Sequence, residues 1–331
     1  MYNKKQDIKV SICCVTFNQE DYIKDALDSF LMQKTNFKYE IIIHDDASTD
    51  NTVRILNEYK QKYPDMIKLI LQKNNQYSLG KEVFPNTFNI ANGKYIAICD
   101  GDDYWTDENK LQIQVDYMES NENCTLCAHS FNYVDKNKSI INSVNRYKHN
   151  TICSERDIIL GDGGFFATAS LMIPAKILKD LPDYYYNCTV GDYPMQLYAM
   201  SKGEAYYISK NMSDYRINSN GSWTSNLYSG TKDEVKVRCI KHSKSMIKML
   251  ESFNKSTDYK YRDIVNEMIN RFEIDIYLQN GDYSILKQKR SRQYIKEKEL
   301  SKKTKLIFLL RAYLPYIADK IELIKDFIVG V

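Results

Sequence analysis

Short apolar runs alternate with segments of helical periodicity over the first hundred residues. The apolar runs cover residues 9–15, 39–44, 67–72 and 94–99. Three of them are nearly continuous in apolar residues, which is typical of strands buried on both faces of a parallel sheet. These runs therefore predict four strands, three of which are buried in a parallel sheet.

The segments between these strands carry helical signals. Asn18 is a suitable N-cap residue, and the apolar pairs that follow it recur every four residues along one helix face. A second helix is predicted to begin at Asp50 or Asn51 and to stop before Pro64, which cannot continue it. A third helix is predicted over residues 82–91.

This order of strands and helices is typical of right-handed βαβ units, so the expected fold is α/β with a doubly wound sheet. The ligand crevice of such a sheet lies beyond the carboxyl ends of its strands. Polar segments follow three of the predicted strands, at residues 16–18, 45–48 and 100–103. The last two segments carry five aspartates, which repel one another unless something compensates their charge. A divalent metal ion is the expected compensator.

Length and composition are those of an ordinary folded protein. The chain has 331 residues, of which 43% are hydrophobic and 27% are charged. Its formal net charge of +3 is too balanced for a nucleic-acid coat, and no nucleic-acid partner is expected. The apolar stretch at residues 10–15 is too short for a secretory signal, and no apolar run approaches the ~18 residues that cross a bilayer. A cytoplasmic location is therefore expected.

The chain contains eight cysteines, three of them inside the predicted strands. Buried thiols pack as small apolar groups, so a reducing compartment is the simpler interpretation. Cys124 and Cys127 form a C-x-x-C pair without the second pair or the spaced histidines of a zinc site. This pair is interpreted as structural.

Asp100, Asp102 and Asp103 form an acidic loop of the kind that holds a hard cation. Mg²⁺ typically takes one or two carboxylates and completes its coordination with water and substrate phosphates. The alternative is an acidic approach to the helix that follows, with Thr106 as its cap. Residues 45–50 have two similar interpretations, as a ligand contact or as a capped connection between a strand and a helix. Neither the dinucleotide-binding G-x-G-x-x-G nor the P-loop motif occurs at a suitable place.

Residues 8–120 resemble the family 2 glycosyltransferases. Four ordered elements carry the resemblance: Val15-Thr-Phe-Asn18, Asp45-Asp46-Ala-Ser-Thr-Asp50, Asn89-Ile-Ala-Asn-Gly93-Lys-Tyr-Ile and Asp100-Gly-Asp-Asp103. The resemblance weakens through about residue 222 and is not seen beyond it. It implies the GT-A fold with its Rossmann-like, doubly wound mixed sheet. It also implies a nucleotide-diphosphate sugar donor, Mn²⁺ or Mg²⁺ as the cofactor, and inversion at the anomeric carbon.

The resemblance also implies roles for the donor-side residues. Thr16 and Asp46 match contacts to the donor base, and Asn18 and Asp45 lie beside them as further donor contacts. Asp100 matches the first acid of the family's D-x-D element, which is expected near the ribose.

The remaining acids are assigned in the same way. Asp102 matches the acid that binds the metal ion and thereby the diphosphate, and Asp103 follows it as an assisting ligand. The family's catalytic base usually lies in a Glu-Asp dipeptide, and Asp192 is the best match although a glycine precedes it. Asp183 and Asp162 are nearby alternatives, and Asp192 is also a suitable N-cap for a helix.

Two later segments complete the expected site. Arg216 is expected to reach the diphosphate from a late loop, as a similar Tyr-Arg element does in the family. The alternative for Arg216 is a surface ion pair. The glycine-rich stretch at residues 161–170 is expected to line the acceptor side, where aromatic faces stack on sugar rings. Packing of its phenylalanines in the core is the alternative.

The C-terminal part of the chain is basic and helical. Residues 282–331 carry twelve basic and six acidic side chains, and an apolar stripe runs along one helical face at residues 310–328. This pattern predicts either binding to an anionic membrane surface or packing on the catalytic domain or on a second copy of the chain. The expected domains are a catalytic domain at 1–225, with a nucleotide-sugar half at 1–120 and an acceptor half at 121–225, and a helical region at 226–331.

The resemblance, taken with these features, implies a metal-dependent, inverting glycosyltransferase of bacterial surface-polysaccharide synthesis. The expected donor is a UDP-sugar, and the expected acceptor is a hydroxyl group of a glycan or of a lipid-linked sugar. A lipid-linked acceptor would be served by a peripheral location on the inner face of the membrane. The alternative is a noncatalytic protein of the same fold that binds nucleotide sugars or acts as a scaffold.

Overall fold

The structure is a computed structural model and describes residues 8–217, 219, 223–298 and 300–315. The chain divides into two compact units, and the division falls after Asn226. Within the described residues the first unit contains both strands and helices, and the second unit is helical.

A ten-stranded mixed sheet forms the first unit. Its strands are β1 (Ile8–Thr16), β2 (Lys38–Asp45), β3 (Ile67–Leu71), β4 (Tyr95–Asp100), β5 (Tyr104–Trp105), β6 (Cys124–Val134), β7 (Ile140–Val144), β8 (Thr151–Ile152), β9 (Met172–Pro174) and β10 (Glu204–Arg216). They lie in the order β3-β2-β1-β4-β9-β6-β10-β5, while β7 pairs with β6 and β8 pairs with β10. The first four strands of this order are parallel to one another, and β9 is antiparallel to β4.

Helices and short turns connect these strands, and the last of these helices follows β10. The helices are α1 (Ile23–Leu31), α2 (Thr52–Lys62), α3 (Phe84–Ile90), α4 (Lys110–Ser120), α5 (Glu155–Leu160), α6 (Ala175–Leu178), α7 (Asp183–Tyr186), α8 (Asp192–Ser201) and α9 (Trp223–Tyr228). Short 3₁₀ helices lie at Tyr77–Leu79 and Thr168–Ser170. One apolar cluster joins α1, α2 and α4 to the strands of the sheet.

The four strands predicted from apolar runs are confirmed, and they form a continuous parallel block at one side of the sheet, while β6 and β10 form a second parallel pair. Cys14 of β1 pairs with Ile43 of β2 on one side and with Cys99 of β4 on the other. All three side chains are fully buried, as expected for strands covered on both faces. The predicted α/β fold with a doubly wound mixed sheet is therefore confirmed.

The predicted start of the first helix is wrong, and the alternative cap at Thr106 is not seen, because contacts with distant segments decide where these helices begin. α1 begins at Ile23 and not directly after Asn18. Asn18 has a left-handed backbone with a φ of 51°, and its side-chain oxygen accepts a hydrogen bond from the Thr49 amide at 2.7 Å. α4 begins at Lys110, and Thr106 is not its cap, because the chain before Thr106 first pairs with β10 as strand β5.

A buried aromatic and cationic cluster joins α1, β5 and α4. The ring centres of Phe30 and Trp105 lie 4.9 Å apart. The Lys110 ammonium group lies 4.1 Å from the centre of the Trp105 ring and donates a hydrogen bond to Gln114 Oε1 at 2.8 Å. Burial lowers the pKa of Lys110 to about 7. Keeping the charged form of Lys110 in the core therefore costs free energy.

The second unit is helical in its described residues. Its helices are α10 (Lys232–Ser256), α11 (Arg262–Gln279), α12 (Lys289–Glu297) and α13 (Lys302–Tyr313), with a 3₁₀ helix at Tyr283–Lys287. A capping box between Thr231 and Glu234 begins α10. Among the residues that the structure describes, no helix is long and apolar enough to cross a membrane. The predicted apolar stripe lies outside the described residues beyond residue 315.

Candidate active site

The predicted polar segments meet at the carboxyl ends of β1, β2 and β4. The strand register places Thr16 beside Asp45 and Val15 beside Asp100. A β-carbon on Gly101 would lie only 2.9 Å from the Thr16 hydroxyl oxygen, so a glycine is needed for this close approach. The three segments therefore pack together at one edge of the sheet.

The acidic loop after β4 is tied to the end of β10. Asp102 accepts a hydrogen bond from the Ser219 hydroxyl at 2.5 Å. Asp103 accepts one from the backbone amide of Arg216 at 2.8 Å, while its second oxygen is buried without a partner among the described residues. These bonds hold the two carboxylates in fixed positions.

Burial and mutual repulsion act on the acidic side chains of this edge. Burial, with added repulsion from Asp102 and Asp192, raises the pKa of Asp100 to about 8. Burial also raises the pKa of Asp102, against the lowering effect of its bond from Ser219. Because nearby carboxylates disfavour one another's ionised form, the site is suited to a cation. The structure thus brings Asp100 and Asp102 of the acidic loop close to Asp192, which comes from a separate segment.

Asp192 is the first residue of α8 and lies against the glycine-rich stretch. Its Oδ1 accepts a hydrogen bond from the Tyr193 amide at 2.8 Å. Its Oδ2 lies 3.4 Å from the position that a β-carbon on Gly163 would take. Burial raises the pKa of Asp192, whereas the alternative acids Asp162 and Asp183 are exposed. Of the three acids, Asp192 is therefore the one placed in the acidic site.

The two acids after β2 differ in their contacts. Asp46 accepts hydrogen bonds from the Gln76 amide at 2.7 Å and from the Tyr77 amide at 2.9 Å, one on each oxygen. Asp45 accepts one bond from the Ser48 amide at 2.9 Å, and its other oxygen is buried without a partner among the described residues. The geometry therefore favours Asp45 over Asp46 as the carboxylate with an open acceptor position.

The two predicted donor contacts after β1 hold loops together. The Thr16 hydroxyl bonds to the Gln19 side-chain oxygen at 2.8 Å. The backbone amide of Asn18 donates a hydrogen bond to the Ser48 hydroxyl at 2.8 Å. This bond links the loops after β1 and β2. The roles of Thr16 and Asn18 toward a donor stay predictions.

Arg216 ends β10 and does not lie in a late loop, which corrects its predicted placement. Its guanidinium group is buried, lies 4.5 Å from the centre of the Tyr22 ring, and donates to Asp25 at 3.0 Å. It also donates to the backbone carbonyl of Asp102. These contacts support the acidic loop, and the contact of Arg216 with a diphosphate stays a prediction.

Glu82 is an acid of this site that does not stand out in the sequence. Burial, with added repulsion from Asp192, raises the pKa of Glu82 to about 7. The helical pattern predicts Glu82 in the first turn of a helix, but α3 begins only at Phe84. Because acidic residues are common in first turns, the local pattern gives no reason to single this one out.

The acidic loop fits a metal ion that is shared with a substrate. Among the described residues, no group of three or more His, Cys, Asp or Glu side chains is arranged to hold a metal ion. A shared ion needs fewer protein ligands, because Mg²⁺ takes one or two carboxylates together with phosphate oxygens. Asp102 and Asp103 supply such carboxylates, and the unpartnered oxygen of Asp103 agrees with this role.

Two solved structures are similar to this chain in fold. S. aureus TarS 1–349 in complex with UDP-GlcNAc has a TM-score of 0.59 and 16% sequence identity, covering 92% of this chain and 81% of that one. The mannosyltransferase PcManGT from Pyrobaculum calidifontis, in complex with GDP-Man and Mn²⁺, has a TM-score of 0.56 and 14% identity, covering 97% and 88%. The predicted GT-A fold of glycosyltransferases is therefore confirmed.

The family follows from the sequence match. The model of glycosyl transferase family 2 matches residues 11–181, which is more than half of the chain. The chain belongs to this family, and the predicted resemblance is confirmed.

Three curated relatives each match a little over a third of the chain. An uncharacterised protein of Mycobacterium bovis is 46% identical over 121 residues, which are 36% of this chain and 34% of that protein. The Escherichia coli UDP-Glc:alpha-D-GlcNAc-diphosphoundecaprenol beta-1,3-glucosyltransferase WfaP is 38% identical over 128 residues, covering 38% and 47%. The poly(ribitol-phosphate) beta-glucosyltransferase of Bacillus spizizenii is 36% identical over 122 residues, covering 36% and 19%. The chain thus spans less than half of the length of each of these relatives.

Proposed function

We propose that the protein is a metal-dependent, inverting glycosyltransferase that moves a sugar from a nucleotide-diphosphate sugar to a hydroxyl acceptor. One observation carries the proposal: Asp192, from a separate segment, lies close enough to the acidic loop at the end of β4 for its charge to act on Asp100. A carboxylate base beside a diphosphate-binding loop is the arrangement that a direct displacement at the anomeric carbon needs. Membership of family 2 supports the same reaction.

The donor side of the proposed site is the edge formed by β1, β2 and β4. Asp45, with its open oxygen, contacts the donor base, and Asp100 lies near the ribose. Asp102, assisted by Asp103, would hold Mn²⁺ or Mg²⁺. When bound, the ion supplies Lewis-acid stabilisation of the charge on the departing diphosphate. Asp46 holds the turn at Gln76 and Tyr77 through its two hydrogen bonds, and Asp45 is the main contact to the nucleobase.

Asp192 is the proposed catalytic base. It takes the proton of the acceptor hydroxyl as that oxygen attacks the anomeric carbon from the face opposite the diphosphate. A base must lie within ~3 Å of the proton-donating oxygen to do so. Burial raises the pKa of Asp192, which makes its ionised form a stronger base than an exposed aspartate. One such displacement inverts the anomeric centre.

The proposed donor is a UDP-sugar, and the proposed acceptor is a hydroxyl of a glycan or of a lipid-linked sugar. The E. coli relative is named for UDP-Glc and a diphosphoundecaprenol-linked sugar, and TarS was solved with UDP-GlcNAc. PcManGT was solved with GDP-Man and Mn²⁺, so a GDP-sugar is the competing donor. Synthesis of a bacterial surface polysaccharide is the process that these names support.

The basic C-terminal segment, residues 282–331, is the proposed point of attachment to the inner face of the membrane. Lys289, Arg290, Lys302 and Lys303 are exposed. Cations close to an anionic lipid surface contribute ~1 kcal/mol each to binding. A second copy of the chain is the alternative partner of this segment.

Nucleotide release from UDP-glucose, UDP-GlcNAc and GDP-mannose, each with and without Mn²⁺, tests the function. We expect turnover of a UDP-sugar that requires the metal ion. Asp102→Ala is expected to abolish both turnover and the rise in melting temperature that UDP with Mn²⁺ causes. Asp192→Asn is expected to lower turnover by roughly 10²–10⁴-fold and to keep that rise. Glu58→Gln, on the exposed side of α2, is the matched control and is expected to be fully active.

A noncatalytic nucleotide-sugar-binding scaffold makes a different prediction. Such a protein would be stabilised by UDP with Mn²⁺ but would turn over none of the three donors. That combination in the wild type would refute the transferase and support the scaffold. Full turnover in Asp192→Asn would remove this residue from the role of base.

A further inference from the structure

Gly191 precedes the proposed base, and its backbone geometry does not explain why the position is a glycine. Its φ of −97° and ψ of −28° are open to other residues. A β-carbon at this position would lie 2.8 Å from Glu82 Oε2 and 3.0 Å from the hydroxyl oxygen of Tyr185. Two polar groups from other segments therefore occupy the space over the α-carbon of Gly191.

The Tyr185 hydroxyl is one of these two groups. Tyr185 is fully buried, and its hydroxyl oxygen has no hydrogen-bond partner among the described residues. Its ring packs edge-on against Tyr186, with 5.2 Å between the ring centres. Since buried hydroxyl groups are nearly always hydrogen-bonded, an unpartnered one that faces a reaction site is a candidate for binding substrate.

The Glu82 carboxyl group is the second group, and it lies near Asp192. Repulsion from Asp192 adds to burial in raising the pKa of Glu82. The charge of Glu82 adds in turn to burial in raising the pKa of Tyr185. A carboxylate accepts hydrogen bonds and a phenol donates one, so together they complement the donor and the acceptor of an alcohol.

We propose that Glu82 and Tyr185 form a hydroxyl-binding subsite over Gly191, which holds the acceptor hydroxyl beside Asp192. The inference rests on the proposed transferase function and names the groups that bind the attacking molecule, which is a polyhydroxylated acceptor or, in its absence, water. Tyr185 donates to an acceptor oxygen, and Glu82 accepts from a hydroxyl of the same molecule. Position 191 is a glycine because a side chain there would intrude on this subsite.

Tyr185→Phe and Glu82→Gln test the subsite with few other changes. The assay is nucleotide release from the sugar nucleotide that the wild type hydrolyses, with Mn²⁺ present and water as the acceptor. We expect kcat to fall about tenfold or more in each variant, the effect of losing a hydrogen bond to the reacting group. The donor KM and the rise in melting temperature caused by UDP with Mn²⁺ are expected to stay unchanged. Tyr185→Phe is expected to fold as the wild type does, because the lost hydroxyl has no partner among the described residues.

Tyr186→Phe and Glu58→Gln are the matched controls. Tyr186 lies on the same helix as Tyr185 and is 46% exposed, and both controls are expected to keep the wild-type kcat. Gly191→Ala offers an independent variant, expected to lower kcat without loss of folding, because the atoms that its methyl group meets are the ends of side chains.

The outcomes separate the subsite from the function on which it rests. Wild-type kcat in Tyr185→Phe or in Glu82→Gln would overturn the subsite and leave the transferase standing. If the variants lose both kcat and the rise in melting temperature caused by UDP with Mn²⁺, Glu82 and Tyr185 belong to the donor side. That result would also overturn the proposed subsite. Absence of turnover by the wild type would refute the proposed function itself, and the subsite with it.

Discussion

The buried amine of Lys110 is expected to make the stability of the first unit depend on pH. Burial lowers the pKa of Lys110 to about 7, whereas the unfolded chain has the ordinary value of ~10.4. Between these values the unfolded state binds more protons than the folded state, so stability rises with pH. One pH unit is worth about 1.4 kcal/mol per proton. The wild type is therefore expected to gain about 2.5 kcal/mol relative to Lys110→Met between about pH 7.5 and about pH 9.5.

Urea unfolding of the two proteins at a series of pH values measures this difference. Lys24→Met, on the exposed side of α1, is the matched control, and its difference from the wild type is expected to stay constant over the same range. A constant difference between the wild type and Lys110→Met would refute the reasoning. It would mean that the ring of Trp105 and the amide of Gln114 offset the cost of burying the charge.

Loop, core and surface contacts elsewhere in the chain give three more expected results. Asp46→Asn is expected to cost about 1–3 kcal/mol in urea unfolding, because the carboxylate holds two backbone amides; the exposed Asp65→Asn should cost little. Phe30→Ala is expected to cost about 3–5 kcal/mol, and a loss below about 1 kcal/mol would contradict its packing against Trp105. The full chain is expected to sediment with phosphatidylglycerol vesicles and not with phosphatidylcholine vesicles, less so at high salt. Sedimentation with neither, together with a dimer in light scattering, would favour the alternative partner.

The parallel block of β1 to β4 could be predicted because each of its strands carries its own apolar signal. The run at residues 39–44 and the observed β2 (Lys38–Asp45) differ only at their ends. The strands β5 and β9 have only two and three residues, too few for any periodicity. They are defined by pairing with β10 and β4, so no local pattern could indicate them.

The acids in contiguous motifs could be found from the sequence, but their individual contacts could not. Asp46 is engaged by a turn that begins some thirty residues later, which leaves Asp45 with the open oxygen. Nothing in the local sequence distinguishes Glu82 or Tyr185. The fold brings both side chains to Gly191. Such groups acquire their chemical character from tertiary contacts, which a linear pattern does not contain.

The contacts of Arg216 with Asp25 and with the acidic loop also bear on how the chain folds during its synthesis. The Arg216 amide bonds to Asp103 across 113 positions of the chain, and its guanidinium group bonds to Asp25 across 191. Contacts between such distant positions require long loops to close and so tend to form late. A nascent chain that has emerged only through β4 would contain its first four strands but not Arg216, which contacts the acidic loop. The acidic loop would then gain its contacts with Arg216 only after β10 (Glu204–Arg216) has been synthesised.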